Sequence, residues 1–180
     1  MTTLDLGLIG NSRTSALIDR NGAIVWWCYP YFDSDPLCSS LLQSDQKEEP
    51  FGFIDVKFDG AKLVGQEYER NSAILVSRFQ DDAGNAIEVT DFAPRFYLHG
   101  RMFSPSMLVR IVRRISGRPQ ADCARLSVSQ SNVLLQLISF WQPNCLLRTL
   151  TCEGIGNRVD FRCGTARHFA AMRNSVAIGA

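Results

Sequence analysis

The amino-acid sequence predicts an all-β protein, an antiparallel β-sandwich, on three observations. Short runs alternate apolar and polar residues with the two-residue period of half-buried strands, as in Phe51-Gly52-Phe53-Ile54-Asp55-Val56-Lys57-Phe58. Turn residues punctuate these runs at short intervals, among them Asn21-Gly22, Asp59-Gly60 and Asp81-Asp82-Ala83-Gly84-Asn85. No long amphipathic helical pattern competes, which leaves sheet packed on sheet as the way to bury a core.

In chain order, Thr14–Ile18 and Ala23–Cys28 read as a hairpin whose Asn21-Gly22 turn takes positive φ angles. Asp35-Pro36 reads as a helix start: Asp35 caps free amides, Pro36 sits where a missing N–H costs nothing, and Leu37–Leu42 forms a short helix. The polar run Gln43–Glu49 is an exposed loop before the alternating strand that ends at Phe58. Further strands are expected at Gly65–Glu69, Ala73–Gln80 and Ala86–Phe92, the last two forming a second hairpin. Pro94–Pro105 lacks periodicity and reads as a loop, and Met107–Ile115 returns to strand alternation.

Composition limits the possible functions. A chain of 180 residues favours one domain large enough to bury a core without disulfides or metals. The formal charge of +1 gives no general attraction to nucleic acid or anionic membrane, so neither is an expected partner. The opening Met1-Thr2-Thr3-Leu4-Asp5-Leu6 has neither the basic nor the long apolar region of a secretory signal, and the expected location is cytoplasmic. The six cysteines fit no zinc spacing and read as free thiols. Phosphate loops, dinucleotide-binding glycine patterns and zinc motifs are missing, so no cofactor is expected.

The text changes character near residue 119. From Pro119 onward there are only three of the 18 acidic residues but four of the six cysteines, and turn chemistry thins. The expected organisation is therefore an incomplete sandwich over 1–118 and an aberrant tail over 119–180, irregular or partly helical, with one sheet edge left open if the tail supplies no further strands. One explanation is a small helical extension with turns at Val133–Leu137 and Ala166–Met172. The other is a shifted reading frame. Back-translating Phe140-Trp141-Gln142-Pro143 and reading one base later gives Phe or Ser, an obligatory Gly, then Asn or Ser; Ala121–Leu126 treated likewise permits an alternating basic and aliphatic strand.

The stretch from Leu8-Ile9-Gly10-Asn11 through Ala23-Ile24-Val25-Trp26-Trp27-Cys28 to Pro30-Tyr31-Phe32-Asp33-Ser34-Asp35-Pro36 resembles the opening of bacterial glycoside hydrolase family 15 proteins, the glucoamylase and trehalase-like enzymes. Val89-Thr90-Asp91-Phe92-Ala93-Pro94 and Leu108-Val109-Arg110-Ile111-Val112-Arg113-Arg114 extend the resemblance over roughly Leu4–Arg118. It implies an N-terminal trehalase-like β-sandwich that precedes an (α/α)₆ barrel cleaving α-glucosidic bonds with inversion. Inverting chemistry needs two carboxyl groups about 6.5–9.5 Å apart, and in the family both are barrel glutamates. No position here matches either role, so the expectation is a truncated, non-catalytic domain of carbohydrate metabolism, inactive alone. The alternative is a stand-alone carbohydrate-binding or assembly module for an α-glucan, trehalose or a separately encoded barrel.

The candidate contact residues for a saccharide or a catalytic domain are Arg13, Trp26, Trp27, Tyr31, Phe32 and Asp33. Adjacent Trp26 and Trp27 point to opposite faces of a regular strand, so one fills the core and the other emerges, either to stack on a sugar or to cover an interdomain contact. Tyr31 and Phe32 carry the same two readings. Asp33 with Arg13 holds the loop that faces the partner, or is a plain ion pair. Catalysis by Asp33 and Asp35 is not expected, since Asp35 is explained by capping. His99 has no Cys or His neighbour to share a metal, and Cys28 and Cys38 read as buried thiols. Arg110, Arg113 and Arg114, with Arg101 nearby, read as an anion site or as charges guarding a strand edge.

Overall fold

A computed structural model describes residues 5–43 and 52–119, together with the backbone of strands over 121–127, 137–142, 146–151 and 160–164. The first sheet holds β1 (Gly7–Gly10), β2 (Ser15–Ile18), β3 (Ile24–Cys28), β4 (Pro36–Cys38), β5 (Phe53–Phe58) and, beyond two further sheets' strands in sequence, the segment Ala121–Ser127. The second holds β6 (Lys62–Tyr68), β7 (Leu75–Gln80), β8 (Ala86–Phe92), then, past a two-stranded ribbon of β9 (Phe96–Leu98) and β10 (Arg101–Phe103), β11 (Leu108–Ser116). Ala121–Ser127 is β12; Leu137–Gln142, Leu146–Thr151 and Asp160–Gly164 are β13, β14 and β15. Spatial order is β1-β2-β3-β5-β12, with β4 also on β3, facing β15-β14-β13-β11-β8-β7-β6. All pairings are antiparallel except β11 with β13.

The core sits between the two sheets. Ile9, Ile18, Ile24, Trp27, Cys38 and Ile54 of the first sheet pack with Leu75 and Leu108 of the second. At the other end of the sandwich, Phe79, Ile87, Val89 and Val112 are joined by Val56, Phe58 and Leu63. Trp27 is fully buried, with its Nε1–H donated to the Thr14 hydroxyl at 2.8 Å. Its removal to Ala would cost about 3–5 kcal/mol. Strand β8 is buried along its whole length. Its outward face joins Phe92 to Ile74, Val76 and Val109 in a separate apolar cluster.

The two long hairpins use the same turn. Asp19 accepts from the N–H groups of Asn21 and Ala23 at 2.9 and 2.8 Å, and Asp81 accepts from those of Ala83 and Asn85 at 2.9 and 2.8 Å. Only the fourth residue takes positive φ, at Gly22 (75°) and Gly84 (83°). Of the positive φ angles expected at Asn21-Gly22 only the glycine's is present, and an aspartate side chain closes the four-residue turn. A Cβ on Gly22 would lie 2.9 Å from the Phe79 ring, so packing and backbone conformation both require glycine there.

Three expectations change. Leu37–Leu42 is not a helix: Pro36 opens strand β4, where a residue without an N–H is tolerated, and only a 3₁₀ turn at Ser40–Leu42 remains. Asp35 caps nothing; its carbonyl accepts the Tyr29 N–H at 3.4 Å. Pro94–Pro105 is not irregular, because it contains the β9–β10 ribbon turning on His99 (φ 49°) and Gly100 (φ 72°). The tail does supply strands: β12 pairs with β5, and β13 pairs with β11. Such additions need backbone hydrogen bonds rather than side-chain alternation, which is why periodicity did not announce them. The loop expected at 43–49 lies past Gln43 outside the described residues, as do the helical turns expected at 133–137, except for Leu137 in β13, and at 166–172.

Candidate docking site

Three loops meet at one end of the sandwich: 11–14 between β1 and β2, 29–35 between β3 and β4, and 93–107 between β8 and β11. Asn11, buried to 3% exposure, joins the first of these loops to the third. Its side-chain NH₂ donates to the carbonyls of Pro94 and Pro105, each at 2.8 Å, while its side-chain oxygen accepts from the N–H groups of Arg13 and Thr14 at 3.1 and 3.2 Å. All four hydrogen-bonding positions of the amide are thus used. Ser12 takes φ 71° inside this wrap. The Thr14 hydroxyl accepts from Trp27 and donates to the Cys28 carbonyl, which couples the loop to the core.

On this frame, the Phe32 N–H donates to the Arg13 carbonyl at 3.2 Å, and the Arg13 guanidinium lies over the Tyr31 ring, 5.3 Å from its centroid. Tyr31 and Phe32 are exposed by 45% and 64%. The β9–β10 ribbon rises from the neighbouring loop with Phe96 and Phe103 stacked at 5.8 Å and with Tyr97, Leu98 and Met102 open to solvent. Arg95 contacts the Ser12 hydroxyl at 3.4 Å. The result is a rim of large apolar side chains carried on a rigid hydrogen-bonded base.

The candidate residues divide between this rim and the interior. Arg13, Tyr31 and Phe32 are brought together, and Asp33 is exposed on the same loop. Arg13 pairs with Tyr31, and no Arg13–Asp33 ion pair forms among the described residues. The two tryptophans separate as their alternation requires. Trp27 turns into the core, while half-buried Trp26 faces outward opposite Leu17, which is itself opposite exposed Leu8. The β9–β10 ribbon escaped the sequence reading. The signal was present in Phe96-Tyr97-Leu98 and Met102-Phe103 flanking His99-Gly100, a pair suited to the two-residue turn seen here.

The arginines of β11 also separate, and neither reading given to them holds for Arg110. Its strand is internal, between β8 and β13, and the side chain is fully buried. Nε and Nη2 contact the two Asp91 oxygens at 2.6 and 3.1 Å, and Nη1 donates to the Ile54 carbonyl of the opposite sheet at 3.3 Å. Burial pushes the Asp91 carboxyl up and the adjacent guanidinium opposes it. Arg113 points to the outer face and binds Glu88.

Burial raises both described thiols, Cys38 to about 12, with Arg110 acting in the opposite sense. For Cys28 burial is the largest cause, a hydrogen bond with Trp26 opposes it, and Asp33 and Asp35 add to it. Neither thiol is an activated nucleophile. Among the described residues, no group of three His, Cys, Asp or Glu side chains is placed to hold a metal ion. No helix of the described residues is long and apolar enough to cross a membrane.

Fold and rim together define a β-sandwich domain with exposed apolar side chains at one end. Its membership follows from comparison with known proteins: the chain belongs to the trehalase-like, N-terminal domain family, whose profile matches residues 3–137. The match runs past Arg118 and includes β12. Two curated relatives are similar: a trehalase of Thermoplasma volcanium, 34% identical over 88 residues, and trehalase 1 of Sulfolobus acidocaldarius, 38% identical over 89 residues. Each alignment covers 49% of this chain but 14% and 15%, respectively, of the relative, so the chain spans a small part of their length. No solved structure matches significantly.

Proposed function

We propose that this chain serves as the non-catalytic N-terminal β-sandwich of a glucoamylase- or trehalase-like hydrolase of glycoside hydrolase family 15, and that its loop end docks against the catalytic portion. The observation that carries the reading is the rim itself: Tyr31, Phe32, Tyr97, Leu98, Met102 and Phe103 are each at least 41% exposed, yet sit on loops tied together by the Asn11 amide and by the Phe32 N–H on the Arg13 carbonyl. A rigid base under open apolar groups suits a preformed interface, because little ordering entropy is lost when a partner arrives. In this reading the two carboxyl groups of inverting hydrolysis belong to an (α/α)₆ barrel, and Arg13 with Tyr31 and Phe32 meets that barrel.

Two measurements test the reading. The purified chain releases no glucose from trehalose, maltose or starch; turnover that disappears when a residue of this chain is replaced overturns the non-catalytic assignment. With its rim uncovered, the chain self-associates in sedimentation velocity, and the Phe32→Ser, Tyr97→Ser double variant shifts it toward monomer. A wild-type chain that stays monomeric at high concentration removes the support for a missing interface.

A further inference from the structure

Along the flanks of the sandwich, polar groups are taken up within the chain. On the outer face of the second sheet Arg78 binds Glu67 and Glu88, and Arg113 binds Glu88. At the border of the first sheet, the Tyr68 hydroxyl of β6 bonds both the N–H and the carbonyl of Leu8 in β1, at 2.7 and 2.9 Å. The loop end differs. Arg13, Arg95 and Arg101 are exposed on the same three loops as Tyr31, Phe32, Tyr97 and Phe103, and none of these arginines makes an ion pair among the described residues.

An unpaired guanidinium alone says little, since Arg70, Arg114 and Arg118 are also without ion pairs among the described residues. Arg13 and Arg95 differ in that each is held. Arg13 lies over the Tyr31 ring, and Arg95 donates to the hydroxyl of Ser12, the residue before Arg13, at 3.4 Å. Two arginines from different loops thus meet at the Ser12-Arg13 tip. Their placement in advance lowers the side-chain entropy lost when a partner arrives. Arg95 spends one N–H on Ser12, and the Arg13 side chain donates to no described residue, so both keep the paired donors that match the two oxygens of a carboxylate. Asp33 and Asp35 of the same end do not fill that place. Neither forms an ion pair with Arg13 or Arg95, and their charges are felt at the Cys28 thiol.

The surroundings select among anions. Asp33 and Asp35 stand on the neighbouring loop and the chain's formal charge is only +1, which disfavours a polyanion. Arginine set among exposed aromatic side chains is the composition of a protein interface rather than of a free-ion site. We infer, building on the docking reading, that the protein surface received by this loop end presents a carboxylate side chain to Arg13 and Arg95, flanked by apolar groups that meet Tyr31 and Phe32.

The test is a nuclear magnetic resonance titration of the full chain with the capped peptides acetyl-Glu-Phe-Glu-amide and acetyl-Gln-Phe-Gln-amide, and separately with inorganic phosphate. The Glu peptide gives saturable shifts at the amides of Ser12, Arg13, Phe32 and Arg95 with a Kd of about 1–10 mM, and the Gln peptide binds about tenfold more weakly. Arg13→Ala and Arg95→Ala change exposed side chains and each weaken the Glu peptide about tenfold, and added salt weakens it in the wild type. Arg118→Ala, beside Asn85 at the opposite end of the sandwich, leaves its binding unchanged. Equal binding of the two peptides, or phosphate bound in preference to the Glu peptide, overturns the carboxylate assignment and leaves the docking reading standing. Shifts at the loop end from neither peptide overturn the assignment and count against the docking reading as well.

Discussion

Asp91 and Arg110 face each other from adjacent strands in the middle of the sandwich, two contacts of 2.6 and 3.1 Å joining side chains that are at most 1% exposed. Because Arg110 also reaches the Ile54 carbonyl, the pair ties the second sheet to the first. Arg110→Met removes one charge and leaves Asp91 buried alone, a loss of about 3–5 kcal/mol. The Asp91→Leu, Arg110→Met double variant restores most of that stability, since a buried pair contributes little net free energy over packed apolar groups. Urea denaturation of the three proteins checks both statements; a double variant no better than the single one contradicts the account.

Asn11→Ala strips partners from the carbonyls of Pro94 and Pro105 and from two backbone N–H groups. Each buried group left unsatisfied costs about 1–3 kcal/mol, reduced wherever water enters. The expected outcome is local: amide exchange accelerates over 11–14 and 94–107, while β7 and β8 keep their protection. Uniform acceleration across the sandwich would show that Asn11 supports the whole fold rather than the loop end.

The Asp81 carboxyl titrates below its ordinary 3.8, first because the Asn85 side chain donates to it and then because backbone N–H groups of the turn do. The folded state therefore holds fewer protons than the unfolded one in this acid range, so its contribution is present above about pH 3.8 and is lost as pH falls through the folded value. Asp81→Asn has no such titration. Its urea midpoint should fall less steeply than wild type on acidification; parallel curves would exclude a role for this carboxylate.

Cys28 and Cys38 are both buried and both held protonated. Iodoacetamide at about pH 8 should leave their peptides unmodified in the native protein and label them in denaturant. Peptide mass spectrometry reads the difference, and rapid native labelling of Cys38 would be incompatible with its place in the core.

Strand existence was legible wherever one face is buried, because Ala86–Phe92 and Leu108–Ser116 announce themselves by apolar residues in the right period. The partition of Trp26 from Trp27 followed from the same alternation. What escaped was set by tertiary partners. Asp91 and Arg110 sit 19 residues apart, and nothing local states that two charges inside apolar runs will meet. Asn11 likewise reads as an ordinary turn residue, since its partners Pro94 and Pro105 lie 83 and 94 residues away. Asp35-Pro36 misled for the opposite reason: the dipeptide suits a helix start, but the cross-strand partner Cys28 places Pro36 in a strand instead.

The Tyr68 hydroxyl occupies both the donor and the acceptor that Leu8 would otherwise turn outward from the border strand β1. A neighbouring molecule that tried to extend the sheet at that border would find its template already plugged by a side chain from the opposite sheet. Phe in place of Tyr68 would unplug it while keeping the ring, turning a closed border into a place where chains can join side by side.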